Sequence, residues 1–329
     1  MRNFIYNNST TIIFGKDTHH DVGMYSKQYG SNILFHYGGG SIKETGLYNQ
    51  VVKSLTAAKV SFIELGGVKP NPRLSLVREG IKICQEHKID FILAVGGGSV
   101  IDSAKAIAIG SKYAGDVWDF YIQKATIKDA LPVGVVLTIP ASGSESSIGS
   151  VITNEDGWYK RAVDNIIIRP KFAIMNPELT YTLPSYQTAS GISDMLSHIF
   201  ERYFTNTADV DFTDRLCEAT IKTIITSGRK VINNPKDYNL RSQLMWAGSI
   251  AHNGLLGTGR EEDWASHAIE HELSGIYDLT HGAGLAIIFP AWMRYVYKHD
   301  VNRFAQFAHR IFDIDDNNPE EAALSGIQS

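Results

Sequence analysis

Only two cysteines occur in the 329 residues, Cys84 and Cys217. They stand far apart, form no CxxC pair and cannot build a disulfide framework, so a reduced, cytoplasmic setting is expected. Basic residues are not in excess either. Lys and Arg number 31 against 35 Asp and Glu, a net charge of -4, which argues against nucleic acid as a partner, since that role needs a basic surface. No apolar run reaches the roughly 18 residues of a membrane span, and Met1–Asn8 lack the continuous apolar core of a signal peptide. A membrane partner is therefore not expected. Internal repeats and low-complexity linkers are missing, and the GxGxxG fingerprint of ordinary dinucleotide folds is absent.

Apolar residues are present in quantity. They make up 43% of the chain, enough for a large core in a length that accommodates two domains. Up to Pro184, short β-branched runs alternate with helical periodicity. Asn32 to Tyr37, Val60 to Leu65, Asp90 to Val95 and Pro132 to Ile139 read as buried strands. Ile42 to Ala58, Leu74 to His87 and Val100 to Ile109 read as helices between them. This alternation predicts a parallel sheet with crossover helices. Phe4 to Phe14 and the stretch from Ser147 to Met175 read as flanking strands or hairpins. After Pro184 strand signals largely vanish. Helical patterns cover Ala189 to Phe204, Thr213 to Ile232, Asn239 to Asn253, Glu262 to Ile276, Gly282 to His299 and Asn302 to Phe312. The expected organisation is an α/β domain over residues 1–184 and an all-helical domain over 185–329.

Two loops at strand C-terminal ends suggest an anion site. Gly96-Gly97-Gly98-Ser99 closes one strand and opens a helix, where free N–H groups and the dipole favour a phosphate. Thr138 to Glu145 (TIPASGSE) closes another, and open α/β sheets bind ligands beyond those ends. Glycines after a strand also serve as plain helix-capping turns, and spacing alone does not separate the two readings. The same holds further on. Asp194 and His198 sit at i,i+4 on one expected helix, and His267 and His271 on another, with His281 nearby. Imidazoles plus one carboxylate suit a first-row divalent ion. Yet Asp194, His198 and Glu201 lie opposite an apolar stripe, so they also read as a solvated helix face.

Taken together and in order, GGGSVIDSAK (96–105), TIPASGSES (138–146), NPELTYTLP (176–184), GISDMLSHIFE (191–201) and DWASHAIEHELSG with THG (263–282) resemble the iron-containing alcohol dehydrogenase family, in its butanol-dehydrogenase-like branch. The resemblance covers essentially the whole chain. It implies an N-terminal α/β dinucleotide-binding domain, an all-α C-terminal metal domain of the dehydroquinate synthase-like fold, and a cleft between them. By the resemblance, Asp194, His198, His267 and His281 would hold a divalent metal, Fe2+ or Zn2+. His271 would stand beside the site as a proton relay. Gly97, Gly98 and Ser99 would carry the pyrophosphate, with Asp102 close by. Thr138 and Ser142 match cofactor-contacting positions, although many relatives have Thr where Ser142 stands. Lys160 matches a lysine over the cofactor, and Leu179 and Thr182 match positions near the adenine or its ribose. Asn176 replaces an Asp usual in that region.

The implied activity is NAD(P)H-linked interconversion of short-chain primary alcohols, butanol among them, and aldehydes, in a homodimer. Gly38, Gly39, Gly40 and Ser41 end the strand that would carry an acid in an NAD-selective site. Nothing there repels a phosphate, and Ser41 and Lys43 are available donors, so NADP(H) is expected over NAD(H). Two alternatives are a lyase of the dehydroquinate synthase type, disfavoured by the Asp-x3-His pair, and a non-catalytic nucleotide-binding protein. Family members continue well past the position of Ser329. The resemblance therefore implies a naturally short or truncated chain, with consequences for bundle stability, dimer packing and activity.

Overall fold

The computed structural model describes every residue, Met1–Ser329. Its eight strands are β1 (Thr11–Phe14), β2 (Asn32–Tyr37), β3 (Ser61–Leu65), β4 (Phe91–Gly96), β5 (Val133–Leu137), β6 (Gly149–Asn154), β7 (Tyr159–Asp164) and β8 (Phe172–Met175). Among them lie α1 (Val22–Lys27), α2 (Ser41–Glu44), α3 (Leu47–Ala57), α4 (Leu74–Glu86), α5 (Gly98–Gly110) and α6 (Trp118–Tyr121). After β8 come α7 (Ser185–Tyr203), α8 (Asp211–Val231), α9 (Tyr238–His252), α10 (Ala265–Tyr277), α11 (His281–Val296), α12 (Val301–Phe312) and α13 (Pro319–Gln328). No helix is long and apolar enough to cross a membrane.

Six strands form one parallel sheet in the order β1-β8-β5-β4-β2-β3. The central strands are apolar throughout because both faces are covered. Alternate residues of β2 show how. Ile33, Phe35 and Tyr37 join α1 and α3 in one core, while Leu34 joins α4 and α5 in the other. From β2 the chain steps outward to β3, then returns to β4 and continues to β5 on the opposite side. Such a reversal opens a crevice at the C-terminal strand ends. Gly38–Ser41 follows β2 and Gly97–Ser99 follows β4, so both glycine loops flank that crevice.

Three expectations need correction. Residues 42–58 are not one helix: Gly46, at φ +81°, breaks them into α2 and α3. The stretch from Ser147 to Met175 is not all peripheral. β6 and β7 pair as an antiparallel hairpin, but β8 enters the main sheet between β5 and the edge strand β1. Its four residues are fully buried, which a short apolar run does not reveal by periodicity. Of Phe4 to Phe14, only Thr11–Phe14 is strand. α13, for which no helix was expected, completes the helical layer with Ala323 in its core.

His36 points into the α4–α5 side of the sheet and is fully buried. Its Nδ1 lies 2.8 Å from the Leu65 carbonyl oxygen and its Nε2 2.8 Å from Ser103 Oγ. The carbonyl requires Nδ1 to donate, and in the neutral ring that burial favours, Nε2 then accepts from the Ser103 hydroxyl. Burial lowers its pKa from 6.5 to about 4. Unfolding exposes a ring that protonates at its ordinary pKa. The contribution is therefore whole above pH 6.5 and is lost as pH falls towards 4. Urea unfolding should show about 3 kcal/mol of pH-dependent loss across that window that His36→Gln does not share. Equal slopes for wild type and variant would contradict the assignment.

Candidate active site

α7 carries Asp194 and His198 one turn apart, so both project from one helix face. That face is not solvated. Asp194 and His198 are each 4% exposed and Glu201 is 1% exposed. They point towards α10, which carries His267 and His271, and towards the start of α11 at His281. One ligand atom each from Asp194, His267 and His281 falls within a 4.8 Å group. The His198 ring lies beside them, its centroid 4.8 Å from that of His267.

The imidazoles are held by their Nδ1 edges. His198 Nδ1 donates to the Asp194 carbonyl at 2.8 Å. His267 Nδ1 donates to Glu201 Oε1 at 2.7 Å, and the same oxygen accepts the His267 backbone N–H at 2.9 Å. His281 Nδ1 meets Glu270 Oε2 in a tight contact. Lys160 Nζ lies 3.3 Å from that carboxylate and from His281 Nδ1; because Nδ1–H already points at the carboxylate, the ammonium pairs with Glu270. Carboxylate or carbonyl partners on Nδ1 fix the tautomer and leave Nε2 free, as around metal-bound histidines.

Two of the converging atoms, Asp194 Oδ1 and His267 Nε2, are buried with no hydrogen-bond partner. Burying such atoms unpaired is costly unless a ligand satisfies them. Burial pushes the Asp194 carboxyl up to about 8, and burial together with neighbouring cationic groups pushes His198 and His281 well down. A divalent cation at this point would relieve both: its charge favours the carboxylate, and neutral imidazoles are the form it binds. The donor set fits the group.

This cluster forms part of the wall of a cleft of about 740 Å³ between the two domains. Gly38, Gly39, Ser41, Gly97, Gly98, Ser99, Asp102, Thr138, Ser142 and Lys160 line it from the α/β side. Asp194, His198, His267, His271 and His281 line it from the helical side. The Gly98 backbone abuts Ser142, where a Cβ would collide with the serine Oγ. Asp102 is engaged within the wall: its carboxylate accepts from Ser144 Oγ at 2.5 Å and from the Val151 N–H at 3.1 Å. Leu179 and Thr182 are not among the cleft-lining residues. Leu179 packs on the sheet core and Thr182 is exposed. Lys43 is turned to Glu64 at 4.0 Å and to the faces of Tyr37 and Tyr48.

Several residues of the site went unread in the sequence. Glu201 follows Asp194 and His198 on the same helix face, and Glu270 stands three residues after His267, so spacing offered a signal for both. Lys105 offered none beyond its place in GGGSVIDSAK. It is fully buried in the middle of α5, with Nζ 2.8 Å from the Ser144 carbonyl, 3.1 Å from that of Ser147 and 2.7 Å from that of Gly149. It thereby ties α5 to the loop that carries Ser142. His252 and Trp264 also line the cleft.

A parallel α/β domain facing a helical one, with an imidazole–carboxylate cluster on the helical side of their cleft, fits an oxidoreductase of the alcohol dehydrogenase and aldehyde reductase class, and the relatives of the chain establish that class. The chain belongs to the iron-containing alcohol dehydrogenase family: the family model of that description matches residues 9–177, and its C-terminal counterpart matches residues 188–329. The chain is 47% identical over 329 residues to the probable NADH-dependent butanol dehydrogenase 1 of Bacillus subtilis, covering 99% of this chain and 85% of that protein. It is 38% identical over 334 residues to the NADPH-dependent aldehyde reductase YqhD of Escherichia coli, covering 99% and 84%. The crystal structure of NADH-dependent butanol dehydrogenase A from Thermotoga maritima superposes with a TM-score of 0.97 at 45% identity, over 100% of this chain and 82% of that one.

Proposed function

We propose that the protein interconverts short-chain primary alcohols, butanol among them, and their aldehydes, with Asp194, His198, His267 and His281 holding Fe2+ or Zn2+. The observation that carries the reading is the pair of orphaned buried atoms, Asp194 Oδ1 and His267 Nε2, on the wall of the cleft that the glycine loops also line. Bound there, the ion supplies a Lewis acid for the substrate oxygen and the nicotinamide supplies or accepts the hydride. The protein's part is to bind and orient. Gly97, Gly98 and Ser99 present the N-terminus of α5 to the pyrophosphate. Lys105 and Asp102 hold the Ser142–Ser144 loop against that turn, and Thr138 and Ser142 add polar contacts. Glu201 and Glu270 keep the ligand rings facing inward, and Lys160 neutralises Glu270 from the opposite domain.

His271 is the proposed proton relay. Its ring centroid lies 5.5 Å from that of His281 and 6.5 Å from that of His267. Burial and the nearby Lys160 ammonium hold its pKa well down, so the ring rests neutral and passes a proton on rather than keeping it. His271→Phe should lower turnover about a hundredfold with metal content unchanged by elemental analysis; metal loss would make His271 a ligand instead.

NADP(H) is the cofactor proposed over NAD(H). A Cβ on Gly39 would meet nothing within 4 Å, which leaves room beside the ribose position. No acid lines the cleft between Gly38 and Ser41, and Ser41 and Lys69 are on the lining. Relatives of both preferences exist, so the ratio of kcat/KM for NADPH and NADH decides it. A ratio above one is expected; one well below it reverses the choice. The activity itself is tested by elemental analysis together with butanol-dependent formation of reduced nicotinamide. A metal-loaded protein that forms none would favour a lyase or a binding role.

A further inference from the structure

One contact between the two domains has no part in the roles above. It joins the loop between β3 and α4 to the turn between α10 and α11. Asn71 is only 6% exposed although it stands in a loop. Its Nδ2 donates to Asp278 Oδ1 at 3.0 Å and to the Leu279 carbonyl at 3.0 Å. Arg73 Nη2 donates to the other oxygen of the same carboxylate, Asp278 Oδ2, at 2.6 Å, and Arg73 Nη1 reaches back to the Asn71 carbonyl at 3.0 Å. One carboxylate thus accepts from two side chains of the opposite domain. Both ends are shaped for the contact. Asn71 and Asp278 each have φ +53°, a left-handed conformation that Asn and Asp tolerate better than other residues with a Cβ.

Each end of this clamp leads to a different site. On the α/β side, the Gly67 N–H donates to the Gly38 carbonyl at 2.8 Å, so the clamped loop hangs on the glycine loop after β2. Lys69, Pro70 and Asn71 line the same cleft as Gly38 and Gly39. The loop is also fixed to the β6–β7 hairpin. The Thr153 N–H donates to the Pro72 carbonyl at 2.8 Å, and the Arg73 guanidinium stands 5.0 Å from the Trp158 ring centroid. On the helical side, Asp278 ends α10, and α11 begins at His281. Only Leu279 and Thr280 separate the clamped carboxylate from that imidazole, and Leu279 is itself held through its carbonyl. Neither Asp278 nor Arg73 is on the cleft lining, so neither is placed to touch a bound ligand.

We infer that Asp278 and Arg73 are positioning residues that set the Lys69–Asn71 loop and the ligand His281 as one unit. The physical reason is direction. A planar guanidinium and a buried amide on one carboxylate fix the turn in orientation as well as distance. His281 then starts α11 from a turn whose position depends on the α/β domain. Lys69–Asn71 in turn face the cleft from a loop whose position depends on the helical domain. A ligand bound on one side therefore favours the arrangement needed on the other, and such a coupling acts in both directions. The inference rests on the metal and cofactor sites proposed above and adds the link between them.

The test reads each change in the opposite domain. Asp278→Asn, on the helical side, should raise the Kd of NADPH or NADH about fivefold, measured by nicotinamide fluorescence. Arg73→Met, on the α/β side, should weaken Zn2+ binding about fivefold, measured by competition with a chromophoric chelator. Asn tolerates the left-handed turn and Met keeps the apolar stem, so both variants should melt cooperatively. Arg73→Lys, which keeps the charge without the planar fork, should show a smaller loss of the same sign. The two main changes break one clamp, so the double variant should be no more than about twofold worse than the more affected single variant on either readout. Effects confined to each variant's own domain overturn the inference, and so do losses that multiply in the double variant. A wild-type protein that takes up no divalent ion would overturn the proposed function. The clamp would then stand or fall on whether Asp278→Asn weakens binding of the nicotinamide nucleotide.

Discussion

His267→Ala is expected to yield a folded protein without its metal, and with butanol turnover reduced on the order of a thousandfold, the equivalent of several kcal/mol of transition-state stabilisation. The reason lies in how His267 is held. Its backbone N–H and its Nδ1 both bond Glu201 Oε1, which leaves Nε2 as the only free polar atom of the ring, buried and unpartnered. Removing the ring deletes that donor and strips Glu201 of one bond, while the backbone bond to the same oxygen remains. Alanine suits a helix interior, so α10 should persist. Elemental analysis and thermal unfolding should separate the outcomes. An empty site in a protein that melts cooperatively supports the ligand set. Full occupancy would falsify it.

Gly282→Ala should be nearly as damaging, although it removes no functional atom. Within a helix this change ordinarily stabilises by up to about 1 kcal/mol. Here α11 crosses α7 so closely that a Cβ at 282 would run into the Ser190 carbonyl oxygen and come within 3.2 Å of Asp194 Cβ. Backbone cannot rotate aside as a side chain can, so α11 must move. His281 begins that helix, and its Nε2 is 3.8 Å from Asp194 Oδ1. Any shift that relieves the methyl group opens that pair. Overpacking of this sort costs about 1–3 kcal/mol, and metal affinity, measured by competition with a chromophoric chelator, should fall about a hundredfold. A variant that melts higher and binds metal as before would show that the helices do not meet as described.

Gly282 also marks a limit of reading by pattern. In the sequence it is one residue of Thr280-His281-Gly282, and its role as a spacer depends on Ser190, which lies some ninety positions earlier. The α7 face is a similar case. Helical spacing brings Asp194, His198 and Glu201 together on one stripe but does not say whether that stripe meets water or another helix. Only the packing of α10 and α11 against it does so. Ordered motifs removed that ambiguity for the family assignment. They did not identify Glu201, Glu270, Lys105 or His252, whose partners are remote in sequence.

The sequence by itself determined the alternation of strand and helix, the glycine loops at strand ends, the change to all-helical structure after Pro184 and the residue types available to a metal. These follow from local rules: periodicity, backbone freedom at glycine and ligand chemistry. Tertiary structure alone decided three further matters. It placed β8 inside the sheet, because burial on both faces leaves no periodic trace. It drew Leu179, Thr182 and Lys43 away from the cleft lining while bringing His252 and Trp264 onto it, because a side chain's destination depends on what packs around it. It left Asp194 Oδ1 and His267 Nε2 buried and unpaired, because residues 73 positions apart on two helices must come together before two polar atoms can lose their water together.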